Sequence, residues 1–177
     1  MKKILIITLL FMACLGVEAQ TNWQVKSGKI TFKIRNIGIN NSGDFGGFVG
    51  TLVFDPQNLE KSSLSASVES KTIDTGIGLR DNHLRKDEYF GTEKYPKISM
   101  KSLKIESKGG NNYAGTFQLT IKNVTKAINF PFTFVQNANT AQFKGSFTID
   151  RRDYTVGKSH PTLSDNVAVT VEVNVTK

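Results

Sequence analysis

The chain has almost no cysteine. Cys14 is the only one in 177 residues, so no disulfide forms within the chain and its stability must come from a packed core. Proline is sparse, with four residues, and no Pro/Gly/Ser-rich stretch divides the sequence, which points to a single domain. Beyond residue 19 no apolar run approaches the roughly 20 residues a helix needs to cross a bilayer. Histidine is limited to His83 and His160, and no Gly-x-Ser-x-Gly elbow occurs. A hydrolase built on Asp81 and His83 is therefore disfavoured. A metal shell is equally hard to complete from two histidines and no cysteine in the mature chain. The basic residues form no dense block and accompany no recognition motif, so no nucleic-acid partner is expected.

What is present begins with a leader. Met1–Ala19 opens on Lys2 and Lys3, continues through an apolar run from Ile4 to Val17 and ends in Val17-Glu18-Ala19, the layout of an export signal. The expected mature chain starts after Ala19, is periplasmic or secreted, and has lost Cys14. The alternative makes Cys14 the lipidated first residue of a lipoprotein. The preceding Phe11-Met12-Ala13 is a poor match to the Leu-Ala-Gly type of motif that this requires. Losing Lys2, Lys3 and Glu18 takes the formal charge from +8 to +7. A basic surface favours anionic partners, a transient contact with a membrane surface among them. The plainer reading puts the lysines, Lys33, Lys101 and Lys122 included, on solvated strand faces.

The body alternates with period two. Ile30, Phe32 and Ile34 share one parity, as do Phe48, Gly50, Leu52 and Phe54. Later sets are Phe117, Leu119, Ile121; Ile128, Phe130, Phe132, Phe134; Phe143, Gly145, Phe147, Ile149; and Val167 to Val175. Such spacing puts one apolar face inward and one polar face in water, the pattern of antiparallel sheet. With Leu64–Val68 and Ile98–Ile105 this makes about eight strands. Turn-rich stretches separate them at 40–47, 109–112, 122–126 and 136–140. Gly109-Gly110-Asn111-Asn112 is the most convincing hairpin turn. The apolar parity flips between Met100 and Leu103, which a β-bulge near Ser102 accounts for. Eight antiparallel strands can form either a sandwich or a closed barrel, and alternation does not separate the two.

One segment breaks the pattern. Residues 75–96 are polar and charged and read as a short helical insert in an otherwise all-β chain. Arg80, His83 and Arg85 can meet a polar headgroup at a barrel mouth, since arginine pairs well with phosphate and imidazole donates or accepts a hydrogen bond. Alternatively Arg80 and Asp81 tie the insert down, while Leu79, Leu84, Tyr89 and Phe90 plug one end.

The insert also carries a resemblance. Ile73-Asp74-Thr75, Arg80-Asp81-Asn82-His83-Leu84 and Tyr95-Pro96-Lys97-Ile98, followed by Lys101-Ser102, look like the centre of the YceI-like family of bacterial lipocalin-like barrels that bind polyisoprenoid lipids. The likeness extends to Gly46-Gly47-Phe48-Val49-Gly50-Thr51-Leu52, to Leu119-Thr120-Ile121 with Val124-Thr125-Lys126, and to Phe147-Thr148-Ile149-Asp150-Arg151 with Leu163-Ser164-Asp165 and Val167. Two positions depart from the family. Asn123 stands where glycine is usual, a left-handed turn position that asparagine tolerates, and Gly91 stands where an aspartate is common.

The resemblance implies an eight-stranded antiparallel lipocalin-like barrel over residues 20–177, with the helical insert between middle strands. Inward parity then makes Phe32, Ile34, Phe48, Leu52, Val68, Met100, Phe117, Leu119, Phe130, Phe132, Phe147, Val169 and Val171 the wall of its interior. From pattern alone a packed core is the favoured reading of those residues. The resemblance implies a tunnel for a long apolar lipid, a polyisoprenoid or an isoprenoid quinone, with no catalysis and no other cofactor. The rival reading is a β module without a ligand, working in stress response or surface interaction. The oligomeric state stays open, a homodimer among the options.

Overall fold

The computed structural model describes residues 21–177; the expected leader and Cys14 lie outside the described residues. Nine strands follow one another: β1 (Asn22–Asn36), β2 (Ile39–Phe45), β3 (Val49–Val53), β4 (Ser63–Glu69), β5 (Lys97–Ser107), β6 (Asn112–Ile121), β7 (Val124–Asn137), β8 (Thr140–Asp150) and β9 (Leu163–Thr176). All pairings between them are antiparallel. β9 returns to lie along β1, from Gln24↔Thr176 to Asn36↔Leu163, and this pairing closes the sheet into a barrel.

Nine strands fill eight positions because β2 and β3 share one. Both pair with the same edge of β1 in a single continuous register, Ile30↔Phe45 in one half and Trp23↔Leu52 in the other. The interruption at Gly46-Gly47-Phe48 switches the inward residues from Asn41 and Phe45 to Phe48 and Leu52. Gly47 makes the switch with φ +65, a conformation that costs other residues energy. The stretch 40–47, expected as a turn, is therefore mostly strand; the turn before it is Ile37-Gly38.

β1 makes a matching switch. Its register against β9 slips at Lys26, so Trp23 and Val25 face the core before the slip and Ile30, Phe32 and Ile34 face inward after it. Gly28 lies directly under the ring of Phe48, and a Cβ there would overlap that ring. The expected bulge in β5 is present: the register against β6 slips between Ser102 and Lys104, leaving Leu103 as the extra, exposed residue. Ser102 is buried, and its Oγ accepts from the Leu64 amide at 2.9 Å.

The β5–β6 turn closes as expected, with Lys108 N donating to Asn112 O at 2.8 Å and Asn112 N to Gly109 O at 3.1 Å. In the β6–β7 turn the left-handed residue is Lys122 (φ 55) rather than Asn123, because tight hairpins place positive φ at their first loop position. Lys122 is also no free surface lysine. Its Nζ donates to the carbonyls of Asp87 and Thr155 at 3.0 and 3.1 Å, which anchors the turn to the insert and to the segment between β8 and β9.

Candidate functional site

One end of the barrel is solid. Phe54 is fully buried there, with Tyr113, Phe132, Phe134 and Phe143 around it at ring-centroid distances of 4.7–6.1 Å. Trp23 packs edge-on to Phe134, and its indole Nε1 donates to Phe54 O at 3.0 Å, so its one polar atom is satisfied. Edge-to-face aromatic packing of this kind adds about 0.5–1.5 kcal/mol per pair beyond area burial.

Above that plug the barrel is hollow. A cavity of about 400 Å³ runs from Phe132, Phe143 and Val173 at the aromatic end to the exposed side chains of Asn36 and His83 at the other. Its size falls in the range of about 300–1,000 Å³ usual for small-molecule sites. All thirteen wall positions expected from parity, from Phe32 and Ile34 through to Val169 and Val171, line it. Ile30, Phe45, Ile98, Ile121, Phe143, Val167 and Val173 join them. The cavity also touches Ser65, Ser67 and Ser99, which alternate with the inward residues, because Ala66 leaves the wall there almost bare.

The insert lies at the open end. Its helix α1 (Gly78–Leu84) follows a 3₁₀ turn at Ser70–Thr72. Both ends of the insert are pinned: Ser70 N donates to Pro96 O at 2.9 Å, and Asp44 and Asp74 exchange backbone hydrogen bonds of 2.9 and 3.1 Å. Asp81 is buried and accepts from the backbone N–H of Thr75 at 3.0 Å and from its hydroxyl. Arg80 donates to Thr75 Oγ1, Thr75 O and Asn41 Oδ1 at 2.7–2.9 Å, which ties α1 to β2. Arg80 thus holds the insert to the barrel and Asp81 ties the insert to itself, the structural role that the second reading gave them.

Of the three expected mouth residues, Arg80 and His83 line the cavity and Arg85 does not. Arg85 turns away, with Nε on Lys71 O and Nη2 on Ile73 O, and braces the 3₁₀ turn. The His83 imidazole makes no hydrogen bond among the described residues and packs against the ring of Tyr89 at 4.9 Å. It is the mouth side chain whose polar atoms are free to meet a ligand. Leu84, Tyr89 and Phe90 face the cavity as the plug reading supposed. Leu79 is 86% exposed and plugs nothing: with Arg80 and His83 turned to the barrel, the helix presents Leu79 to solvent.

The loop after β8 completes this end. Arg151 is buried and donates to Ser164 O, Val156 O, Lys158 O and Asp165 Oδ1 at 2.8–3.1 Å. This cross-link was not foreseen, although the pairing of Arg151 with Asp165 could have been read from the two closing-strand motifs. Nearby, Tyr154 is buried under the insert, its hydroxyl without a partner among the described residues. Burial, helped by the Asp153 carboxylate, pushes its pKa up. Among the described residues no three His, Cys, Asp or Glu side chains converge as metal ligands.

The sequence matches the YceI-like domain over residues 22–175. The chain belongs to the YceI-like family. Relatives of this YceI-like chain include a UPF0312 protein of Photorhabdus laumondii, 36% identical over 56% of this chain and 52% of that one, so the chain spans about half of that relative's length. A UPF0312 protein of Vibrio parahaemolyticus is 28% identical over 82% of this chain and 79% of the relative. Among solved structures, Burkholderia cenocepacia BcnA superposes with a TM-score of 0.81 at 25% identity, covering 84% of this chain and 96% of that one. The Campylobacter jejuni YceI protein gives 0.70 at 26% identity, over 76% and 84%. A domain from Saccharophagus degradans described as polyisoprenoid-binding shares the fold, with a TM-score of 0.68 at 14% identity over 88% and 97%. YceI-like membership and the closed eight-position barrel support a binding role for the interior.

Proposed function

We propose that the protein is an exported carrier that holds a long apolar lipid, a polyisoprenoid or an isoprenoid quinone, inside its barrel for sequestration or transport, and performs no chemistry on it. The observation that carries this reading is the hollow interior: a cavity walled by phenylalanine, valine, leucine and isoleucine, blind at the aromatic end and fringed by polar groups at the other. Each methylene taken from water contributes about 0.8 kcal/mol. About ten of them supply about 8 kcal/mol, micromolar affinity before ordering costs, with no strong polar anchor.

Three further points support it. The carboxylate of Asp81 is turned into the Thr75 clamp and away from His83, which leaves the histidine without the orienting partner that a general base needs. The Saccharophagus degradans domain of the same fold is described as binding polyisoprenoid. The leader at residues 1–19 favours a periplasmic or secreted location, which fractionation of the cells tests.

Native mass spectrometry and lipid extraction of protein purified from its own host test the ligand. A co-purified polyprenol or quinone, or stoichiometric uptake of added polyprenol by delipidated protein, is the expected result. A protein that is empty as isolated and ignores added polyprenols of several lengths overturns the reading.

A further inference from the structure

Large aliphatic side chains are exposed at the open end of the barrel and, among the described residues, nowhere else in such density. Ile37 and Ile39 are 73% and 68% exposed at the tip of the β1–β2 hairpin, and Ile77 and Leu79 are 51% and 86% exposed at the start of α1. The other large hydrophobics exposed among the described residues, Val49, Leu103 and Val135, sit singly on different strands. The two pairs are held together. Asn41, two residues along β2 from Ile39, accepts from Arg80, which adjoins Leu79, at 2.9 Å. Ile37 N donates to Thr162 O at 3.0 Å, which brings the β8–β9 loop to the same rim.

The hairpin tip carries a second anomaly. Ile37 has φ 51 and Gly38 φ 74, a two-residue turn whose left-handed first position is normally asparagine, aspartate or glycine. A β-branched residue with positive φ is a genuine outlier. Its side chain relieves nothing by packing, because it stands in solvent. Backbone strain spent on displaying an isoleucine argues that the display itself is used.

The charge around it selects the partner. The rim segments 35–41, 74–80 and 158–163 contain Arg35, Arg80 and Lys158 against one acid, Asp74, whose Oδ1 accepts from Gly76 N at 2.8 Å. The insert's Asp87 is paired with Lys94, and Glu88 lies beside Lys158, its carbonyl accepting from Gly157 N at 2.9 Å. The apolar tips and their cationic flank are continuous with the cavity mouth at Asn36, Asn41 and His83.

We infer that this rim is a peripheral membrane-docking surface: Ile37, Ile39, Ile77 and Leu79 dip into the interface of an anionic bilayer, and the basic groups beside them meet its headgroups. The inference rests on the lipid-carrier reading and deepens it, because a mouth pressed to the bilayer lets a water-insoluble chain pass into the barrel without crossing water. Burial of a few aliphatic tips together with electrostatic attraction is the usual recipe for reversible interfacial binding.

The test compares the wild type with Ile37→Asn and Leu79→Ser, singly and together, by flotation with vesicles of phosphatidylethanolamine and phosphatidylglycerol and with vesicles of phosphatidylcholine alone. Ile37→Asn relieves the strained turn, so it folds at least as well as the wild type, and loss of docking in it cannot be put down to misfolding. The wild type is expected to float with the anionic vesicles, less at high salt, and the double variant to bind them at least about tenfold more weakly. Polyprenol delivered from ethanol without vesicles should load both proteins equally. Wild-type protein that loads ethanol-delivered polyprenol but ignores anionic vesicles overturns the docking surface and leaves the carrier reading standing. Vesicle binding without polyprenol uptake does the reverse. A stable dimer that Leu79→Ser converts to monomer assigns the patch to a second copy of the chain and also overturns the inference.

Discussion

Ala66→Phe separates a hollow barrel from a packed one. Ala66 faces inward on β4, opposite Gly50 on one side and Met100 on the other, where the cavity meets nearly bare wall. A phenyl ring there adds six carbons. If they enter empty space, burying the ring contributes about 1.5–3 kcal/mol to stability; in a filled core the same ring overpacks and costs about 1–3 kcal/mol. With a urea slope of about 2 kcal/mol/M, the denaturation midpoint moves by about 1 M in opposite directions in the two cases. The ring also takes the place of ligand. Six displaced methylenes are worth up to about 5 kcal/mol, and some is recovered as the lipid slides toward the mouth, so polyprenol affinity should fall at least about a hundredfold. Urea melts followed by tryptophan fluorescence, paired with titration of a fluorescent polyprenol analogue, give both readings from one variant. A midpoint lowered by about 1 M with unchanged lipid binding would refute the hollow-interior reasoning.

Other perturbations probe the frame around the cavity. Phe54→Ala removes the centre of the aromatic plug, fully buried among four rings, and should cost about 3–5 kcal/mol in urea unfolding; a loss below about 1 kcal/mol would mean that the closed end is loosely packed. Arg151→Met strands three carbonyls and leaves the Asp165 carboxylate only its longer contact with Arg152, and should cost about 2–4 kcal/mol, while a thermal midpoint within about 1 °C of wild type would deny the cross-link its role. Glu106 should titrate at about 2 in carboxyl-detected NMR, because the ammonium groups of Lys104 and Lys108 donate to it. Since its folded pKa is depressed, its contribution to stability is complete above the ordinary carboxylate range and fades as pH falls toward 2; Lys104→Met with Lys108→Met should return it to the usual range, and an unmoved titration would rule the lysines out as the cause.

The wall of the cavity was legible in the sequence because a strand turns alternate side chains to opposite faces, and that geometry leaves a period-two trace wherever one face is apolar. The β5 bulge was legible for the same reason, as a break in that trace. Asn36 and Asn41 left no trace: asparagines beside a glycine read as turn, and only the pairing of β2 with β1 makes them strand residues at the mouth. The division of labour within the insert was also hidden. Arg80 and Arg85 have the same chemistry, and which of them lines the cavity depends on whether Asn41 or the carbonyls of Lys71 and Ile73 lie within reach, a fact of tertiary structure. Leu79 misled because a leucine in a short amphipathic stretch ordinarily packs inward, whereas here the helix turns it to solvent.

The seam where β9 meets β1 has a consequence for how the molecule comes together. Apart from the step from β4 to β5 across the insert and the pairing of β1 with β3 across β2, the other strand pairings join consecutive strands, but this one unites residues about 140 positions apart, such as Ile30 with Val171. Its loop-closure entropy is the largest in the fold, which makes it the natural late event and the one that sets the folding rate. Until it forms, the sheet has two bare edges and an open greasy trough, a template for sticking to other chains. Loss of the last fourteen-residue strand by truncation or proteolysis would return the finished protein to that state, so its C-terminal strand is as indispensable as its first.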